Sequence, residues 1–122
     1  AFPALDGRRD ALTAAWDGTG GVLELPGLRA EIIIGDARQA LPAWQGQVDA
    51  WFLDGFSPAK NPELWGDALM AEVACHTAPG GTASTYTAAG FVRRALGAGG
   101  FEVTRIPGYG RKRHMTRARM PA

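Results

Sequence analysis

Asp54 is the residue whose type and setting first point to chemistry. It closes Ala50-Trp51-Phe52-Leu53, an apolar run long enough for one buried strand, and opens the irregular stretch Gly55-Phe56-Ser57-Pro58-Ala59-Lys60-Asn61-Pro62. Two prolines forbid regular pairing there and restrict the residues before them. Pro62 suits the first turn of a helix, and Glu63 falls where a helix N-terminus favours negative charge. An acid between a strand and a helix is how open α/β sheets build sites at the carboxyl ends of their strands. The plainer reading of Asp54-Gly55 is a tight turn. Against it, the residues that follow do not read as a partner strand.

Charge gives a second set of candidates. The net charge is only +1, but its distribution is uneven. Residues 1–72 carry five basic and eleven acidic side chains, a net of −6, whereas residues 73–122 carry eight basic ones against Glu102 alone, a net of +7. A basic end on a nearly neutral chain points to a polyanionic partner, with a solvated basic tail as the bland alternative.

Other residues exclude chemistries. Cys75 is the single cysteine, so there is no internal disulfide and no cysteine-based metal site; no metal is expected. Cys75-His76, at the end of a helical stretch, reads as structural. Gly18-Thr19-Gly20 resembles a nucleotide loop, but such a loop follows a strand and opens a helix. Here a helical stretch precedes it and Val22-Leu23-Glu24-Leu25 follows. Charges, glycines and prolines interrupt every apolar segment, so no run approaches a membrane span, and no membrane partner is expected. The N-terminal Ala-Phe-Pro followed by charges is not a secretory signal. With 46% hydrophobic residues the chain can build a real core, as one domain over residues 1–122.

The elements that must position Asp54 follow from periodicity and punctuation. Leu5–Trp16 reads as a helix with Leu5, Leu12, Ala15 and Trp16 on one face. Pro26-Gly27 turns the chain into a β-branched strand, Leu28–Ile34, which ends at Gly35-Asp36-Ala37. Asp36 is either the N-cap of a short helix Ala37–Leu41 or a ligand carboxylate. A helix runs from Pro62 to about His76, with Leu64, Trp65, Leu69 and Val73 at helical spacing. Ala78-Pro79-Gly80-Gly81 reads as a turn, Thr82–Thr87 as a strand, and Thr87 as the cap of a helix Ala88–Ala98. Phe91, Val92, Ala95 and Leu96 form that helix's inward stripe, and glycines end it. Phe101–Ile106 is a strand, and His114–Ala118 returns antiparallel. The pattern implies an α/β fold with a mostly parallel sheet and helices on its faces.

Several stretches together resemble one family. Asp49–Trp65, Pro79-Gly80-Gly81-Thr82, Phe91-Val92-Arg93-Arg94, Gly99-Gly100-Phe101 and Gly108-Tyr109-Gly110-Arg111-Lys112-Arg113-His114-Met115 are similar to the methyltransferase domain of the MnmC-type tRNA 5-methylaminomethyl-2-thiouridine biosynthesis proteins. The likeness is dense from about residue 29 to residue 118. It implies the class I S-adenosylmethionine-dependent methyltransferase (Rossmann-like) fold, a seven-stranded sheet whose last strand is antiparallel. It also implies N-methylation of 5-aminomethyl-2-thiouridine at the tRNA wobble position, with tRNA as partner and the cytoplasm as location. In the family this domain is often fused to an FAD-dependent oxidoreductase, so FAD is expected only if such a domain follows in a parent protein.

The resemblance implies roles residue by residue. Gly35, Asp36 and Ala37 fall at the loop that contacts the cofactor's adenine, where a carboxylate accepts from the exocyclic amine. Asp54 falls beside the transferable methyl, as catalytic and cofactor-binding residue. Its chemistry fits: an alkylamine is mostly protonated near neutral pH, as lysine is, and a carboxylate in hydrogen-bond reach orients it and takes its proton. Phe56 and Pro58 wall the site, or merely pack the loop. Lys60 and Asn61 contact RNA, or hold the loop. Tyr109 offers a face for stacking a base, and Arg111, Lys112 and Arg113 neutralise phosphates.

One departure qualifies this picture. The family's glycine-rich first motif, and the acid after its second strand, have no counterpart in these 122 residues. The chain therefore reads as the later part of the domain, truncated before strand three, and two alternatives stay open: a non-catalytic RNA-binding remnant, or a same-fold methyltransferase acting on another amine. In the complete fold two strands lie between Leu28–Ile34 and Ala50–Leu53. Without them the latter has an open edge, to be left bare, covered by Leu28–Ile34, or paired with another chain.

Overall fold

The computed structural model describes residues 3–55 and 57–122, and divides into two compact units, Ala1–Asp36 and Ala37–Ala122. In the first, a 3-10 turn (Pro3–Leu5) leads into helix α1 (Asp6–Ala15), followed by strands β1 (Gly21–Leu25) and β2 (Leu28–Ile32). The strands form an antiparallel hairpin with Leu25 opposite Leu28 across Pro26-Gly27. The strand expected to reach Ile34 stops at Ile32, and Ile33 and Ile34 are exposed. The expected apolar face of α1 is not buried: Leu5, Leu12 and Trp16 are exposed. Asp17 orders the glycine-flanked turn. Its Oδ1 accepts from the Thr19 hydroxyl at 2.6 Å and the Thr19 N–H at 3.0 Å, and Trp16 Nε1 donates to the Thr19 carbonyl at 2.9 Å. Those two Thr19 bonds hold the Asp17 carboxyl below its usual range.

The second unit holds helices α2 (Ala37–Ala43), α3 (Asp67–Cys75) and α4 (Gly90–Ala98) and strands β3 (Val48–Phe52), β4 (Thr77–Thr85), β5 (Glu102–Pro107) and β6 (His114–Arg119). The sheet order is β3-β4-β6-β5. β3 and β4 are parallel, and β6 runs antiparallel between β4 and β5. Alternation decides which face is covered. Ala83, Thr85, Thr116 and Ala118 are buried with Trp65, Leu69, Met70, Val73, Val92, Ala95, Leu96 and Phe101, while Phe52, Arg117 and Arg119 on the other face are exposed. Thr77 links strand to helix: Trp51 Nε1 donates to its hydroxyl at 2.9 Å, and the hydroxyl donates to the Val73 carbonyl at 2.6 Å.

Three local expectations change. The helix expected from Pro62 begins as a 3-10 turn, Pro62–Trp65, and restarts as α3 after Gly66. Phe91 is outside the core at 37% exposure, although Val92, Ala95 and Leu96 are buried as expected. Ala78–Gly81 is not a turn but an irregularity inside β4, where the pairing jumps from Val48↔Thr77 to Ala50↔Thr82. A bulge tolerates Pro79, which has no N–H to give. A β-carbon at Gly81 would lie 2.8 Å from the Ala78 carbonyl and 3.1 Å from that of Val48, so the backbone there closes tightly. Among the described residues β3 pairs only with β4, and β2 pairs only with β1.

Candidate active site

Parallel pairing brings the carboxyl ends of β3 and β4 together, and the antiparallel β6 starts at that same end. The Leu53 N–H donates to the Ser84 carbonyl at 2.9 Å, which keeps β3 in register up to Asp54. A cavity of about 360 Å³ opens there, lined by Phe52, Leu53 and Asp54 from β3, Ser84, Thr85 and Tyr86 from β4, and Met115 from β6. Tyr86 is 58% exposed, and the residues around it are tethered. The Thr87 N–H donates to Thr85 Oγ1 at 3.3 Å, and Thr116 Oγ1 donates to the Thr87 carbonyl at 2.7 Å. Thr87 does not cap α4 directly. Its hydroxyl accepts from the Ala89 N–H at 3.2 Å, one residue before the helix begins.

Asp54 also borders a second, more apolar cavity of about 310 Å³, whose walls include Ala37 and Leu41 of α2, Trp51 of β3 and Leu64, Trp65 and Leu69 beneath the loop. A β-carbon on Gly55 would lie 3.3 Å from Trp65 Cζ2, so the buried indole packs against the backbone that follows the acid. Of the three residues expected at the adenine, Ala37 shares this cavity with Asp54, whereas Gly35 and Asp36 end the first unit. Phe56 lies outside the described residues. Pro58 is half-buried and Lys60 exposed; the N–H groups of Lys60 and Asn61 donate to the Ser57 carbonyl at 3.0 and 2.9 Å, closing the loop into a turn. The hairpin tip between β5 and β6 stands at the same end of the sheet as Asp54 and carries exposed Tyr109, Arg111, Lys112 and Arg113. It is closed by Gly108 N–H to Arg113 carbonyl at 3.1 Å and Lys112 N–H to Tyr109 carbonyl at 3.2 Å.

The residues that periodicity and motifs did not single out are Ser84, Thr85, Tyr86 and Met115. For Ser84, Thr85 and Tyr86 the signal was available, since the carboxyl end of the strand after the acid's strand is a site position by the same rule that picked Asp54; Met115, at the start of the antiparallel β6, is outside that rule. His76 is structural. Its Nδ1 lies 2.8 Å from the Glu72 carbonyl and its Nε2 2.8 Å from the Trp44 carbonyl. Cys75 beside it is exposed, and no group of metal-ligating side chains occurs among the described residues.

A family model described as S-adenosyl-L-methionine-dependent methyltransferase matches residues 12–121. The chain belongs to this family. The chain is 50% identical over 101 residues to the tRNA 5-methylaminomethyl-2-thiouridine biosynthesis bifunctional protein MnmC of Caulobacter vibrioides, a match covering 81% of this chain and 17% of the relative. For the protein of that name from Pseudomonas aeruginosa the identity is 56% over 84 residues, covering 69% and 13%. The chain thus spans less than a fifth of the length of these relatives. A crystal structure of MNMC2 from Aquifex aeolicus matches with a TM-score of 0.72 at 33% identity, over 82% of this chain and 34% of that one. The N-methyltransferase NodS from Bradyrhizobium japonicum matches at 0.53 and 15% identity, a likeness of fold. The mixed sheet, with β6 antiparallel between β4 and β5, is the class I arrangement that the resemblance implied.

The larger cavity suits the methyl-donating end of S-adenosylmethionine. One carboxylate faces apolar and aromatic walls, a set that attracts a cationic sulfonium. The residues present fit that end of the cofactor; the glycine-rich loop for the remainder has no counterpart in the sequence.

Proposed function

We propose that this chain forms the acceptor side of a tRNA wobble-uridine methyltransferase, which converts 5-aminomethyl-2-thiouridine to its methylamino form. The observation that carries the reading is Asp54, set at the tip of β3 on a cavity shared with Tyr86 and Met115, with the basic hairpin tip at the same end of the sheet. The half-identical relatives named for 5-methylaminomethyl-2-thiouridine biosynthesis support it. S-adenosylmethionine, when bound, supplies an electrophilic methyl on a sulfonium. The Asp54 carboxylate accepts a hydrogen bond from the acceptor ammonium and takes its proton, which frees the nitrogen lone pair for in-line attack. Phe52, Tyr86 and Met115 hold the flat base and limit water around the amine. Gly35, Asp36 and Ala37 serve the adenine; Phe56, Pro58, Lys60 and Asn61 form the loop over the acceptor; Tyr109, Arg111, Lys112 and Arg113 meet the RNA backbone. The substrate implies a cytoplasmic reaction. The greater length of the relatives and the word bifunctional in their names support a fused FAD-dependent oxidoreductase in the parent protein.

The test is transfer of labelled methyl to tRNA that lacks this modification, by the chain in its full natural polypeptide. Asp54→Asn keeps the side-chain shape and removes the base, so turnover is expected to fall by about 10²–10⁴-fold with cofactor binding retained. Unchanged turnover would mean that Asp54 is not the base.

A further inference from the structure

The basic hairpin tip is one part of a larger cationic cluster that extends onto α4 and β5. Arg105 on β5 and His114 on β6 lie on the same face of the sheet, because Arg105 pairs with Thr116 and His114 with Pro107, two residues along. Arg93 and Arg94 come from α4, which packs on that face. Arg93 is fixed by its Nε, which donates to the Ala88 carbonyl at 3.3 Å. A β-carbon on Gly90 would lie 2.9 Å from Arg94 Nη1 and 3.8 Å from Arg93 Nη2, so two guanidinium groups converge on one point.

Such an arrangement is unfavourable by itself. Like charges are brought together, and α4 has no acid in its first turn to balance them. Among the described residues no carboxylate pairs with Arg93, Arg94, Arg105 or Arg113, and Glu102 is the only acid after residue 72. The charged groups that act on His114 are Arg105 from β5, Arg113 from the turn and Arg93 from α4, all cationic. Its own burial, and then these three charges, push its pKa below the ordinary value. The cluster therefore lacks a negative charge; Met115, the next residue along β6, lines the cavity beside Asp54 from the opposite face of the sheet, so cluster and cavity share an end of the sheet but not a face.

We propose that Arg93, Arg94, Arg105, Arg113 and His114 form a phosphate-binding site, which grips the RNA backbone at the end of the sheet where the Asp54–Tyr86 cavity opens. This rests on the tRNA reading and extends it from the hairpin tip onto α4 and β5. A guanidinium fork matches phosphate oxygens, and a phosphate bound here offsets the cationic repulsion that, after burial, lowers the His114 pKa. RNA binding then takes up a proton, so affinity increases as the pH is lowered through the His114 titration.

The experiment is binding of the 122-residue chain to an anticodon stem-loop RNA, read by fluorescence anisotropy across a salt series, with the His114 titration followed by NMR. The double variant Arg93→Gln/Arg105→Gln is expected to bind roughly tenfold or more weakly, with a salt slope shallower by about 1–2. Arg93→Lys/Arg105→Lys, which keeps the charges, is expected to recover most of the affinity. In the wild type, RNA is expected to raise the His114 pKa. Thermal unfolding of each variant separates lost binding from lost folding. If the glutamine pair binds like the wild type with the same slope while Arg111→Gln/Lys112→Gln loses RNA, the tRNA reading stands and this site is wrong. If the wild-type chain does not bind the stem-loop, both fall.

Discussion

His76 shows how much one side chain decides. Both of its ring nitrogens face backbone carbonyls, and a neutral imidazole has only one N–H to give. The carbonyl of Glu72 first, then that of Trp44, and the Glu72 carboxylate at 3.7 Å favour the imidazolium and raise its pKa. A raised folded-state pKa means that the folded protein holds the proton more tightly than the unfolded chain. The stabilisation is therefore complete below the unfolded value of about 6.5 and is lost as pH rises through the folded value. Urea unfolding between about pH 5.5 and about pH 8.5 should show stability declining in the wild type relative to His76→Gln, which cannot titrate. Parallel curves would mean that one of the two hydrogen bonds carries no proton from the histidine. The sequence marked Cys75-His76 as structural because the pair stands alone at the end of a helical stretch. It could not show the partner, Trp44, since that carbonyl is brought there by the packing of α2 against α3.

Helices α3 and α4 meet through small residues. Gly99, just past α4, has an ordinary φ of −75°, yet a β-carbon there would lie 2.9 Å from Ala74 Cβ and 3.4 Å from the Met70 carbonyl. Gly99→Ala must push the helices apart and is expected to cost about 1–3 kcal/mol. Gly97, inside α4, meets nothing closer than Val103 Cγ2 at 4.0 Å, so Gly97→Ala should stabilise by up to about 1 kcal/mol through helix propensity. Chemical denaturation of the two variants should thus shift in opposite directions; equal shifts would show that the helix contact is looser than these distances imply. The sequence made most elements legible, because α3, α4, β5 and β6 carry clear periodicity between glycine and proline stops. It misled at Ala78–Gly81, where Pro-Gly-Gly has the composition of a turn but the paired strand continues through a bulge. Asp54 was legible from one stretch of chain. Tyr86 was within reach of the same carboxyl-end rule, whereas Met115 was not, since only the sheet order β3-β4-β6 brings it to the acid.

Every buried hydrophobic residue among those described lies between Trp65 and Ala118, within the unit Ala37–Ala122. The hydrophobic contribution to folding is concentrated there, whereas the first unit is a helix and a two-stranded hairpin, a motif of marginal stability without a packed face. A chain restricted to residues 37–122 should therefore unfold in a single cooperative transition at a midpoint close to that of the 122 residues. A non-cooperative or absent transition would mean that residues 1–36 are required for the core. The placement of the four tryptophans makes this visible without a label. Trp16 is the only one in the first unit and is exposed, bonded through Nε1 to a turn carbonyl, while Trp65 at 4% exposure lies in the core. Emission from the first should be red-shifted and open to an aqueous quencher such as iodide, and emission from the second blue-shifted and shielded. Trp16→Phe then leaves a chain whose intrinsic fluorescence comes from the second unit alone, an optical record of the unit that carries Asp54.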